Sequence, residues 1–218
     1  VKRRFLMIAG MSAGLARPTP APAQGGARKL PPRDESGRDP ALRKAVEALR
    51  AACREKSIVR LEPLLHAVIR GPAGGDATPA RFLEALSRTP ALWQELDTCF
   101  ALGGSFTRRD MFVAPYVHGA FPDDLDRRDW LVVLGTDVTV HETPRDSGIV
   151  AARLTHDIVR RLQPEAGVRA PSEWVRVRPP IGRPGFVRRE QVRSPLDYRA
   201  VLTRRGDGWA LAAFAVGD

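Results

Sequence analysis

The chain has 218 residues, 43% hydrophobic and 28% charged, enough for one large domain or two small ones with a real core. Its two cysteines, Cys53 and Cys99, cannot make a disulfide scaffold, so apolar burial must hold the fold. A formal net charge of +10 suits an acidic partner, but no nucleic-acid motif accompanies it.

The first residues read as a targeting segment. Lys2-Arg3-Arg4 is a basic start, Phe5 to Ala16 is mostly apolar, and Ala21-Pro22-Ala23 is a small-residue cleavage site before Gln24. The apolar run is shorter than the roughly 20 residues of a spanning helix, so export to the periplasm or medium is expected, with no membrane span after cleavage. Export would also separate the protein from nucleic acid. Segment 1–23 carries Lys2, Arg3, Arg4 and Arg17 and no acid, so without it the net charge is +6. Residues 39–129 hold 13 basic and 13 acidic residues, which leaves the excess mainly on residues 130–194, with 11 Arg against 7 acids. That excess fits either a solvated surface or a face for an acidic polymer or peptide carboxylates.

Residues 24–38 read as a linker, with Gly25-Gly26, Pro31-Pro32 and mixed charges. Order is expected from Asp39-Pro40, an N-cap followed by a proline tolerated in the first turn. Leu42, Val46, Leu49 and Cys53 then recur at helical spacing, to about Lys56. The apolar stretch Ile58–Ile69 is interrupted by Pro63, which predicts a short helix and then an extended end. Gly71–Asp76 is a loop. Thr78-Pro79 and Thr89-Pro90 repeat the cap-and-proline signal before two more helices, one carrying Phe82, Leu83 and Leu86, the other Leu92, Trp93, Leu96, Cys99 and Phe100. Gly103-Gly104 ends the second. Ser105–Thr107 and Met111–Val113 flank Arg108-Arg109-Asp110 as a hairpin, and Pro115–Pro122 follows as an extended connection. Trp130–Leu134 is a buried strand.

From there the runs are short and of β type: Val138–Val140, Ile149–Leu154, Trp174-Val175-Arg176-Val177 and Gly182-Arg-Pro-Gly185-Phe186-Val187. In this order they resemble the bacterial SH3-like (SH3b) domain, over about a quarter of the chain. The resemblance implies a small β-barrel that binds peptides or cell-wall fragments. Pro144 matches the family's first-strand pattern, while His141 stands where the family usually has Arg and Glu173 where it has Gly. Trp174, Arg176, Pro144 and His141 are its candidate ligand contacts. Trp174 can start a strand and pack at the barrel edge, or offer a flat apolar face to proline or sugar rings. The whole chain is similar to exported SH3-domain proteins of Gram-negative bacteria.

Tyr198–Arg204 and Trp209–Val216 form a last hairpin about Gly206-Asp207-Gly208. It lies beyond the barrel pattern and needs a sheet or helices to cover it. The expected fold is therefore α+β: a helix-rich unit of residues 39–127 plus 198–218, with a barrel of residues 128–197 inserted. The order of helices and hairpin is similar to an NTF2-like cone, an analogy of element order only.

Two functions are compatible with these features. One is a non-enzymatic envelope protein that binds peptide, protein or peptidoglycan. The other is a periplasmic hydrolase or isomerase with a pocket in the α+β unit. Tyr116 and His118 lie in the connection between the two units, where they either line a ligand crevice or seal a seam. None of His66, His118, His141 and His156 has metal-ligand spacing, so no metal or cofactor is expected. No nucleophile elbow or phosphate loop is present. Asp123, Asp124 and Asp126 lack calcium-loop spacing. Cys53 and Cys99 both fall on apolar helix faces, where a bridge and two buried thiols are equally compatible with the pattern.

Overall fold

The structure, a computed structural model, describes residues 27–163 and 171–217. The expected targeting segment 1–23 lies outside these residues, and so do residues 164–170 of the long turn before Trp174. Helices and two sheets make the chain mixed α+β.

Helix α1 (Pro40–Arg54) begins where the Asp39 carboxylate accepts the N–H groups of Ala41 at 2.9 Å and Leu42 at 3.2 Å. It turns Leu42, Ala45, Leu49, Ala52 and Cys53 inward. Helix α2 (Ile58–Leu61) is capped by the Ser57 hydroxyl, and Pro63 falls in a 3-10 turn that feeds strand β1 (Leu65–Arg70). A two-residue strand, β2 (Asp76–Ala77), pairs with the end of β1. Thr78 caps α3 (Pro79–Arg88) through its hydroxyl. Thr89 does not do the same for α4 (Ala91–Ala101). Pro90 already has helical angles at the cap position, so the Thr89 side chain sits one residue too early and only its carbonyl serves, accepting from Leu92 at 2.9 Å.

Strands β3 (Ser105–Arg108) and β4 (Met111–Ala114) form the expected hairpin. The connection after Pro115 is not extended throughout. Tyr116–Gly119 makes one helical turn, α5, because that turn drives Tyr116 and Val117 completely out of solvent. Seven strands follow: β5 (Trp130–Val133), β6 (Val138–His141), β7 (Val150–Leu154), β8 (Ile158–Arg161), β9 (Trp174–Arg178), β10 (Gly185–Arg188) and β11 (Val192–Arg193). The terminal hairpin is β12 (Arg199–Arg205) and β13 (Gly208–Ala215).

The first sheet has the order β2-β1-β13-β12-β4-β3, so the last hairpin of the chain fills its centre. Among the described residues only the β1–β13 pair is parallel. Val201 faces Ala213 while Leu202 faces Leu211, which leaves Ala212 unmatched as a bulge. The bulge shifts the side-chain alternation by one residue, so Trp209, Leu211 and Phe214 all reach the same core. Helices α1, α3 and α4 supply its other half, including Leu49, Phe82, Leu86, Trp93 and Phe100.

The second sheet has the order β11-β5-β8-β9-β10-β6-β7, all antiparallel. Among the described residues its core uses side chains of its own strands, mostly valines. Val192 and Leu154, from the strands at opposite ends of the order, share that core, so the sheet is rolled on itself. A third cluster joins the two sheets. Tyr116, Val117 and Phe121 meet Val132 and Ile158 there, with Leu30, Leu102, Leu125 and Leu134 around them.

Residues 27–38 are not a free linker. Arg28 O accepts from Ile158 N–H at 2.8 Å, and Leu30 N–H donates to His156 O at 2.7 Å, which fastens one end to the second sheet. At the other end Glu35, 6% exposed, donates its N–H to Gly104 O and accepts from Phe106 N–H through Oε2, both at 2.9 Å. Arg33 and Arg38 pair with its other oxygen. Gly103, at φ +76°, lies so close to the Arg33 carbonyl that a Cβ would clash with it. The segment straps both units together. Its Pro and Gly content hides this, because the anchors are backbone groups and one buried acid.

Candidate functional site

Trp174 opens β9 and is 4% exposed. His141 meets its ring edge-on at 5.7 Å, and the Arg188 guanidinium lies 4.4 Å from the ring centroid. Arg188 in turn forks onto Asp146, with Nε 3.1 Å from Oδ1 and Nη2 bonded to Oδ2. These bonds from Arg188, with its charge, hold the Asp146 carboxyl below its ordinary range against the opposing effect of desolvation. His141 Nδ1–H donates to the Gly148 carbonyl at 3.1 Å, and Nε2 lies 3.0 Å from the Thr139 hydroxyl. The turn Glu142–Ile149, with half-buried Pro144 in it, is thereby folded against Trp174. An open aromatic face for stacking on ligand rings is absent, because a histidine edge and a guanidinium already cover the indole.

The other residues singled out from sequence are scattered. Arg176, also on β9, donates to the Gln163 carbonyl at 3.4 Å. Tyr116 is fully buried in the cluster between the sheets, and burial pushes its phenol up to about 12. His118 Nδ1 lies 2.9 Å from the Pro195 carbonyl, and Arg127 donates to the His118 carbonyl at 3.3 Å. His66, half-buried on β1, bonds the Val68 carbonyl of its own strand at 2.9 Å. Tyr116 and Phe121 seal the seam, so a crevice does not open at them. Cys53 and Cys99 are free, buried thiols, and burial pushes both up to about 12.

A crevice does open nearby, between α4 and the rolled sheet. Its volume is about 610 Å³. Leu131, Leu134, Val175 and Val192 give it an apolar floor. Arg161, Arg189 and Arg193 stand around that floor with Glu95, Glu190 and Asp197. Arg193 is 7% exposed and ties the two units: its Nη2 donates to the Tyr198 carbonyl at 2.9 Å and lies 3.4 Å from Glu95 Oε2 and 3.6 Å from Cys99 Sγ. The Ser194 hydroxyl and the Asp197 carboxylate are used inside the turn, accepting from the N–H groups of Leu196 and Ser194. Arg161, Val175 and Arg189 also border a smaller hollow of about 140 Å³ beside Pro171, Ser172, Trp174 and Arg176. Crevice and hollow thus adjoin at these three side chains, and together they make up the trough beside β9.

Sequence reasoning missed Arg161, Arg189, Arg193 and Glu95. The arginine-rich run was visible, but what assembles the trough is the approach of α4 to β11, a contact between segments about a hundred residues apart. A second groove, of about 560 Å³, lies between the loop 71–77, α3 and Tyr198. No histidine lines either space among the described residues. Among the same residues no cluster of three His, Cys, Asp or Glu could hold a metal, and no helix is long and apolar enough to cross a membrane.

Fold and trough define a mixed α+β protein with a mixed-charge, apolar-floored crevice at the meeting of its two sheets. Compared with known proteins, the chain matches no family model, no curated protein and no solved structure.

Proposed function

We propose that the chain is a non-enzymatic binding protein of the cell envelope, and that the trough between α4 and the rolled sheet takes an extended peptide segment, of a protein or of a cell-wall fragment. The observation that carries this reading is the lining. An apolar floor with charges of both signs around it suits a peptide, which brings apolar side chains, amide groups and charges together. A uniform polyanion would meet Glu95, Glu190 and Asp197. The small, self-packed antiparallel sheet supports the SH3b resemblance of residues 128–197, with a helix-rich unit completed by the terminal hairpin around it. The basic-apolar pattern of residues 1–23 supports an exported protein. Trp174 serves as a wall of the hollow instead of a stacking platform, and Arg176 and Arg189 line the same hollow.

The test is sedimentation with purified peptidoglycan and titration with peptides from envelope proteins. The native protein is compared with an Arg161→Glu, Arg189→Glu double variant. Both arginines are exposed, so the variant should melt like the native protein. Binding should fall by at least about tenfold, the loss expected when donors to a ligand become repulsive charges. Equal binding by both proteins, or no binding by the native one, contradicts the proposal.

A further inference from the structure

One end of the rolled sheet has a surface that neither the trough nor the core explains. Seven large apolar side chains are exposed among the described residues, and three of them sit in two neighbouring turns or at the strand start after one of them: Ile149 at 71%, Val150 at 44% and Ile181 at 81%. Single exposed aliphatics are ordinary, but a cluster is not. The turns are adjacent because Gly182, at φ +107°, rests on β7. A Cβ on it would lie 3.1 Å from the Ala151 carbonyl oxygen and 3.4 Å from the Ala152 Cβ. Gly185 similarly abuts the His141 carbonyl, so the 179–184 loop is pressed beside the 142–149 turn.

The charges around these side chains have one predominant sign. Arg145 and Arg183 flank the aliphatics within the two turns, and Arg178 precedes the second turn. None of the three is in an ion pair among the described residues. Asp146 is committed to Arg188, which leaves Glu142 as the other acid of the 142–149 turn. Ile149 and Ile181 are mostly exposed, so they stand out from their turns as a tip, and neither lines the crevice, hollow or groove described above.

We propose that this tip is a contact site for an anionic lipid surface. Ile149, Val150 and Ile181 would enter the interface between headgroups and acyl chains, and Arg145, Arg178 and Arg183 would meet lipid phosphates. A fluid bilayer closes around a projecting apolar tip, whereas a folded or extended peptide needs a groove to bury comparable area. The three guanidiniums supply the second attraction that a small apolar tip needs in order to hold. This site is separate from the trough and does not depend on its occupant.

The test places a polarity-sensitive fluorophore on the tip of the full chain. Ile181→Cys provides the attachment point, since both natural thiols are buried. Val59→Cys, at a residue 83% exposed on α2, provides a label away from the tip. The probes are vesicles of phosphatidylcholine, the same vesicles with about one-third phosphatidylglycerol, and poly-glutamate. The proposal expects a blue shift of the Ile181 label with phosphatidylglycerol vesicles alone, and none of the Val59 label. Adding Arg145→Glu and Arg183→Glu should raise the lipid concentration for half-binding by tenfold or more, since each basic residue near an anionic surface contributes about fivefold. No shift at Ile181, a shift equal at both labels, or an equal response to poly-glutamate overturns it. The first two outcomes say that the tip does not insert, and the third that it is a site for acidic polymers.

Discussion

The two sheets bury their apolar side chains by different means, and their sequences differ accordingly. The first sheet is covered by helices on one face, so a wide layer must be filled, and large side chains fill it: Phe82, Trp93, Phe100, Phe112, Trp209 and Phe214. The second is rolled on itself, and its narrow interior takes Val133, Val138, Val140, Val159, Val175, Val177, Val187 and Val192 with two leucines. A sheet that must cover itself selects small β-branched residues, and one with helices over it can use aromatics. The first is also assembled from distant segments, whereas the second closes within residues 130–193.

The largest effect should come from removing residues 198–218. That deletion takes out β12 and β13 and leaves β2-β1 and β4-β3 as two unconnected pairs. A chain of residues 24–197 should lose the cooperative melt of the helical unit, while residues 128–194 alone should still give a β-type circular dichroism spectrum and a melt of their own. A cooperative transition of unchanged enthalpy in the 24–197 chain would break the comparison.

Within the intact chain, the two cores should respond according to side-chain size. Trp209→Ala should cost on the order of 3–5 kcal/mol by denaturant titration, as for other buried large aromatics. Val177→Ala in the rolled sheet, where the side chain is fully buried, should cost about 2 kcal/mol, the worth of two methylene-sized groups with little room to collapse. Equal costs would mean that the two interiors are not packed differently.

Much of this contrast is legible in the sequence, because period and turn chemistry are local. The capped helices at Asp39 and Thr78 and both hairpins follow from spacing alone. What is not legible depends on contacts between distant segments. The order within the Pro-rich segment 27–38 comes from bonds to residues 104, 106, 156 and 158. The burial of Trp174 comes from His141 and Arg188, and that of Arg193 from α4. The sequence shows the arginines but not which one becomes a wall of the crevice.

The strap that joins the two units gives a smaller effect. Glu35→Ala leaves the Phe106 N–H without its acceptor and should cost about 1–3 kcal/mol, the range for an unsatisfied buried donor. Glu35→Gln, which keeps an acceptor, should cost less. A change within error for Glu35→Ala would show that the units hold together without this bond, through the Tyr116–Ile158 cluster and Arg193.

The smallest effect is in acid. Burial raises the Asp39 carboxyl, but N–H bonds from Leu42, Trp209 and Ala41 and the nearby Arg204 outweigh it and hold the group below its ordinary range. The ionised form is therefore favoured by folding. Its contribution is complete above the unfolded pKa of about 4 and is lost as pH falls through the lower folded value. Asp39→Asn should flatten that acid limb of the stability curve. An unchanged slope would assign the acid sensitivity to other carboxylates.

The central claim is that ligand is held in the trough where the units meet. Hydrogen–deuterium exchange of the protein with and without a bound envelope peptide or cell-wall fragment tests it directly. Protection should appear at residues 171–176 and 189–198 and along the exposed side of α4. Protection confined to the loop 71–77 and α3, or absent at saturating ligand, would contradict it.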